Sequence, residues 1–264
     1  MMPAAVSDAL KVSNLAVRFG GLVAIADMSF VVQAGQILSL IGPNGAGKTT
    51  AFNVITGFLR PSAGSVIYKG RDLTKMSPPE IAALGVVRTF QRTSIFGSCT
   101  VLESVLTALH LGGGTEILGA ILRSAAVIEE ERRLQTEALD LLAFVGLALR
   151  PHDVAGTLSY GEQRLLALAT AMAAKPAMLL LDEPAAGLNP SETQGFMELV
   201  RRIRDRGVTV LLVEHDMHMV MSISDRIIVL NNGQMIAGGT PHEIQNDAEV
   251  IRAYLGEGLT SVKD

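Results

Sequence analysis

The chain has 264 residues, 48% of them apolar and 18% charged, which is enough to bury a substantial core and excludes a disordered polymer. A formal net charge of −4 argues against a general nucleic-acid binder, which carries a basic excess. A single cysteine, Cys99, excludes an internal disulfide framework, and no stretch reaches the ~20 consecutive apolar residues that span a bilayer.

In chain order, the opening MMPAAVSDALKVSN lacks an apolar core, so no secretory leader is expected and a reducing compartment fits the lone thiol. Short strands follow, turning at Gly20-Gly21, and then a buried strand over Gln36 to Ile41. A glycine-rich loop over 42–49 opens a helix that stops near Gly57. Gly64 to Lys69 reads as a strand closed by the turn residues Gly70-Arg71-Asp72.

From Val101 to about Gly156 the period becomes helical. Leu134, Ala138, Leu141, Leu142 and Val145 fall on one face, with Glu137 and Asp140 opposite; Gly146 supplies a stop, and Gly112-Gly113-Gly114 marks a loop between helices. The apolar runs Ala177 to Leu181, Val208 to Val213 and Arg226 to Leu230 suit buried parallel strands, with a hairpin turn at Asn231-Asn232-Gly233. Strand and helix alternation implies an open sheet covered on both faces. The expected architecture is α/β: one nucleotide-binding core from 1–92 and 157–264, with a helical subdomain over 93–156 inserted between its two parts.

Three segments carry chemistry. Gly42-Pro43-Asn44-Gly45-Ala46-Gly47-Lys48-Thr49 is a P-loop, lying between a predicted strand and a predicted helix as that motif requires. Its glycines let main-chain N–H groups wrap phosphate oxygens at a helix N-terminus, with Thr50 next in line; Lys48 adds a positive charge and the Thr49 hydroxyl a ligand for Mg²⁺. Asp182-Glu183-Pro184 ends an apolar strand. A carboxylate there suits Mg²⁺, which assigns Asp182 to the metal and leaves Glu183 as general base for an attacking water. The third segment is Leu158-Ser159-Tyr160-Gly161-Glu162-Gln163, where Ser159 also reads as a helix N-cap.

That last segment resembles the signature of the ABC transporter ATPases, usually Leu-Ser-Gly-Gly-Gln, with Tyr160 in place of Gly and Glu162 in place of Gln. The acidic side chain of Glu162 is expected to point away from phosphate. Further matches to that family come in its order. Phe19 falls where an aromatic ring stacks on adenine, Gln91 in the Q-loop that contacts Mg²⁺ or water, and His215 at the switch that reaches the γ-phosphate. Ala186-Gly187-Leu188-Asn189 matches the D-loop with Asn189 replacing Asp. Within the family, Phe19 to Leu22, Phe52-Asn53, Asp182 to Asn189, Glu214 to Met217, Ser224 to Ile227 and Val250 to Gly256 are similar to the ATPases of branched-chain amino acid uptake.

The resemblance implies a P-loop NTPase core of the RecA-like type, mostly parallel with antiparallel N-terminal strands. It implies ATP and Mg²⁺ as ligands, and catalysis by Glu183, His215 and Gln91, with Mg²⁺ held by Thr49, Gln91 and Asp182. Ser159, Tyr160, Gly161 and Glu162 would contact ATP bound to a second ATPase subunit, identical or related. Two membrane permeases and, indirectly, an extracytoplasmic solute-binding protein would complete the system, placing the chain peripherally on the cytoplasmic face of the inner membrane, with no nucleic-acid partner. The alternatives are another cargo (urea, another amino acid or exported lipid) and a soluble ABC ATPase that does no transport. Met217, Met219 and Met221 read as helix packing, Cys99 as a loop thiol, His110 as surface, and Arg201, Arg202, Arg204 and Arg206 as a solvated face.

Overall fold

The computed structural model describes residues 7–89, 97–112 and 125–260. In chain order the elements are β1 (Asp8–Phe19), β2 (Leu22–Gln33), β3 (Ile37–Ile41), α1 (Lys48–Ile55), β4 (Ala63–Tyr68), β5 (Arg71–Asp72), α2 (Pro78–Ala83) and β6 (Val86–Thr89). Then come α3 (Val101–Gly112), α4 (Ala125–Val145), α5 (Tyr160–Ala173), β7 (Met178–Asp182), α6 (Pro190–Asp205) and β8 (Thr209–Val213). The chain ends with α7 (Met217–Ile223), β9 (Arg226–Asn231), β10 (Gln234–Gly239), α8 (Pro241–Gln245) and α9 (Ala248–Thr260).

Two compact units emerge: Met1–Arg88 with Ala177–Ala185 and Val200–Asp264, and Thr89–Pro176 with Ala186–Leu199. The first is built on one sheet of order β5-β4-β1-β2-β10-β9-β3-β8-β7-β6. Its centre is parallel, because β3 pairs in parallel with both β8 and β9, and β8 with β7. Every residue of β3, β7 and β8 is buried, as continuous apolar runs require of strands covered on both faces. Leu38, Leu40 and Ile228 pack with Ala51, Phe52 and Ile55 of α1 on one side; Ile41, Ile227 and Val229 pack with Val220 and Ile244 on the other.

The other half of the sheet is antiparallel. β1 and β2 are 12 residues each, longer than the short strands their sequence suggests, and they pair across Phe19 and Leu22 at the expected glycine turn. Several register shifts interrupt that ladder; such bulges strengthen local twist and let long strands curl. The β9–β10 turn carries Asn232 at φ 48° and Gly233 at φ 75°, the two positive angles of a type I′ hairpin.

In the second unit α3, α4 and α5 pack on one another. Leu134, Ala138, Leu142 and Val145 are buried, and Gly146 at φ 89° follows the last helical residue of α4, as its missing Cβ permits. Of the glycine run, Gly112 closes α3 and its successors lie outside the described residues. The expected boundary at 156/157 groups residues 157–176 with the nucleotide-binding core, whereas the compact units divide after Arg88 and after Pro176. The physical reason is α5, whose partners are the two preceding helices.

Leu40 lies in the central strand and is fully buried, so Leu40→Ala should cost about 2–5 kcal/mol through lost transfer energy and a residual cavity. Thermal unfolding followed by circular dichroism checks this; a midpoint equal to the parent protein's would contradict it.

Candidate functional site

The loop from Gly42 to Gly47 joins β3 to α1 and is held by its neighbours on two sides. A Cβ on Gly42, whose φ is 149°, would come 2.1 Å from the Leu230 carbonyl oxygen of β9. One on Gly47, at φ 103°, would come 2.8 Å from the Ala24 carbonyl oxygen of β2. Gly233 in the β9–β10 turn donates its N–H to the Ala46 carbonyl at 3.2 Å. The loop is thus wedged between β2 and a hairpin turn. Glycine is obligatory at both contacts.

Lys48, the first residue of α1, is buried, and its Nζ donates to the carbonyls of Gly42 at 2.5 Å and Pro43 at 2.8 Å. The chain therefore curls around its own ammonium group. Asn44, Gly45 and Thr49 are exposed and Thr50 is half-buried, so the outer rim of the loop and the first turn of the helix face solvent. Pro43, Asn44 and Ala46 also line a cavity of about 310 Å³ with Asn231, Asn232 and Arg252. Phe19, at the end of β1, is 50% exposed, an open aromatic face free of core packing duty.

Asp182 ends β7 and is buried. Its Oδ2 accepts from Arg88 Nη2 at 2.6 Å, with both side chains under a tenth exposed. Arg88 also donates to Asn53 Oδ1 at 2.7 Å and lies 5.5 Å from the Phe52 ring centre, so α1, β6 and β7 meet at one guanidinium. Glu183 follows with φ 46°, a left-handed conformation that a non-glycine residue holds only when its surroundings fix it. Its N–H donates to the Val213 carbonyl at 2.8 Å, tying the end of β7 to the end of β8.

His215 is exposed and stands directly after β8 and Glu214. Glu214 is 1% exposed, and burial pushes its carboxyl above the usual glutamate range, against the pull of three backbone N–H donors. Sequence reasoning assigned Glu214 no role of its own; an acidic residue ending an all-apolar strand is the signal that marks it. Gln91 lies outside the described residues.

The second unit carries the Ser159 segment. Ser159 caps α5: its Oγ accepts from the Glu162 N–H at 3.3 Å, and Glu162 Oε2 accepts from the Ser159 N–H at 2.9 Å, a reciprocal capping box. The other Glu162 oxygen accepts from Arg150 at 2.5 Å, and this pairing holds the carboxyl below the usual glutamate range. The acidic side chain is folded back onto its own helix terminus.

Tyr160 is held by Arg164, which donates to its hydroxyl at 2.5 Å and stacks 4.9 Å from its ring centre. That ring covers Gly187, where a Cβ would come within 2.9 Å of it. Gly161 is equally tight, since a Cβ there would meet Glu192 Oε1 at 2.7 Å. Glu192 in turn accepts from the Asn189 N–H, and Asn189 Oδ1 accepts from the N–H groups of Ser191 and Glu192, capping α6. Asn and Asp cap helices about equally well, so Asn189 keeps this structural duty without the charge.

The glycine-wrapped lysine opens a helix on the same parallel sheet whose β7 ends in Asp182. The family described as ABC transporter matches residues 25–186. The chain belongs to the ABC transporter ATP-binding family. A second family, described as branched-chain amino acid ATP-binding cassette transporter, matches residues 234–260 of this cassette. It is 47% identical over 253 residues to the high-affinity branched-chain amino acid transport ATP-binding protein LivG of Salmonella typhimurium, covering 94% of this chain and 98% of that one. To BraF of Pseudomonas aeruginosa, described in the same words, it is 45% identical over 249 residues, with the same coverage. The ADP conformation of an ATP-binding cassette of an ABC transporter superposes with a TM-score of 0.82 at 32% identity, covering 95% of this chain and 99% of the other.

Thr49 and Asp182 carry hydroxyl and carboxylate oxygens, the donor types that Mg²⁺ prefers, and the Asp182 carboxylate is held here by Arg88. Among the described residues no three His, Cys, Asp or Glu side chains gather as metal ligands.

Removing one partner of a buried ion pair strands the other charge. Arg88→Ala should therefore lower stability by about 3–5 kcal/mol. Arg150→Ala removes a half-buried, partly solvated partner and should cause a smaller loss in the same denaturant titration. Equal losses in the two variants would contradict this assignment.

Proposed function

We propose that this cassette is the ATP-hydrolysing subunit of an importer of branched-chain amino acids. The observation that carries the reading is the P-loop held around Lys48 on the same parallel core that presents Asp182 and Glu183. The cargo is supported by the likeness to LivG and BraF over nearly the whole of each chain.

In this reading main-chain N–H groups of the loop and of the first turn of α1 receive the phosphates of ATP, and Lys48 exchanges its carbonyl partners for phosphate oxygens. Gly42, Pro43, Asn44, Gly45, Ala46, Gly47, Thr49 and Thr50 line that cradle, and the exposed ring of Phe19 stacks on the base. Thr49, Asp182 and Gln91 would hold Mg²⁺, which supplies charge neutralisation across the phosphates. Glu183 takes a proton from the attacking water, and its constrained backbone fixes where the carboxylate stands. His215, exposed at the end of β8, donates to the γ-phosphate. Ser159, Tyr160, Gly161 and Glu162 serve a second ATPase subunit, where the Ser159 hydroxyl and the N-terminus of α5 close on bound ATP.

Among the described residues no helix is long and apolar enough to cross a membrane. In this reading the solute passes through partner permeases. The cassette docks on them from the cytoplasmic face. An extracytoplasmic binding protein delivers the amino acid, and the second ATPase is a homologue or another copy.

Lys48→Ala should abolish detectable binding of a fluorescent ATP analogue, and Glu183→Gln should bind it normally while losing roughly 10²–10⁴ in turnover. Normal turnover in Glu183→Gln would remove the base assignment. For the cargo, the cassette is reconstituted in vesicles with its permeases and binding protein. Leucine, isoleucine or valine should stimulate ATP hydrolysis and urea should not; stimulation by urea alone would overturn the amino acid assignment.

A further inference from the structure

Two groups assigned to catalysis stand at the ends of different strands, Glu183 after β7 and His215 after β8. One buried carboxylate lies between their loops. Glu214 Oε1 accepts from the Ala185 N–H at 2.8 Å, and Oε2 accepts from the His215 N–H at 3.0 Å and, more distantly, from Asp216 at 3.4 Å. The preceding residue, Val213, receives the Glu183 N–H through its carbonyl. Residues 183–185 are thus pinned at two successive positions, 213 and 214.

We infer that Glu214 is a positioning residue that sets the register between the Glu183 loop and the His215 loop, so that both groups reach the same phosphate together. This rests on the roles given above to Glu183 and His215. Three features argue for it. Glu214 is 1% exposed, and a buried carboxylate is a costly way merely to fill space, since an apolar side chain would do so without desolvating a charge. Its hydrogen bonds go to main-chain groups of two loops 29 residues apart in sequence. The Glu183 conformation at φ 46° also needs outside constraint, and Glu214 with Val213 supplies it. The strain itself is local to the turn; the carboxylate decides where that turn stands relative to His215. Asp216 then caps α7 by accepting from the Met219 N–H at 3.2 Å, so the histidine is held from both sides.

Glu214→Gln separates this from a packing role. The amide keeps the shape and one acceptor oxygen, and puts an NH₂ donor against one of the two loops. In the full-length chain, hydrogen exchange should accelerate at least tenfold at the Ala185 or the His215 amide, and should not change in the P-loop. In the reconstituted transporter kcat should fall at least tenfold with KM for ATP within threefold of the parent. Glu214→Asp, whose shorter arm cannot bridge both loops, should show the same split if the glutamine variant folds poorly. Unchanged exchange with unchanged kcat overturns the inference, and so does a loss in which kcat, ATP affinity and thermal midpoint fall together. Glu183→Gln is run alongside. If it retains turnover, the base assignment fails; if it is inactive while Glu214→Gln behaves as the parent, the positioning inference alone fails.

Discussion

The structure depends on one steric constraint: a loop that must pass within contact distance of two backbone carbonyls. Gly42 against Leu230 and Gly47 against Ala24 leave no room for a side chain, and the Gly233 N–H fixes the Ala46 carbonyl between them. Everything else in the first unit serves to bring those carbonyls to that place. The β9–β10 hairpin lies beside β3 because β9 pairs with it in parallel, and β2 reaches the loop because β10 pairs with β2 at Gln234 and Asp27.

Charge is managed by the same economy. Lys48 is satisfied by carbonyls of its own loop and Asp182 by Arg88, so two buried charges each have partners within the fold. Such pairs contribute little net stability once desolvation is counted, and they hold the groups at defined positions. In the second unit Glu162 pairs with Arg150 and with the helix terminus it caps. The two departures Tyr160 and Asn189 belong to one packed arrangement: the Tyr160 ring fills the space left by Gly187, and Asn189 caps the helix whose Glu192 lies against Gly161.

Much of this was legible in the sequence, for physical reasons. The P-loop and the Asp182-Glu183 strand end are readable because close approach and strand termination each demand particular residues at fixed spacing, and the buried strands because both faces are covered. The type I′ turn at Asn232-Gly233 is readable because few residues accept two positive φ angles. Pairings distant in sequence were not legible. Arg88 meets Asp182 across 94 residues, and no local pattern announces it. Helix α2 escaped because its Pro78-Pro79 start reads as a turn until the capping box of Ser77 and Glu80 is seen. The grouping of α5 with α3 and α4 is a fact of packing that residue types around 156 do not record.

The most direct measurement is a crystal structure of the full-length chain with Mg²⁺ and a non-hydrolysable ATP analogue. A preformed cradle predicts that Nζ of Lys48 leaves the Gly42 and Pro43 carbonyls for phosphate oxygen while the main chain from 42 to 47, and its contacts with Leu230, Ala24 and Gly233, stay in place. A loop that refolds around the ligand, or nucleotide bound elsewhere with Lys48 still on its carbonyls, would contradict it.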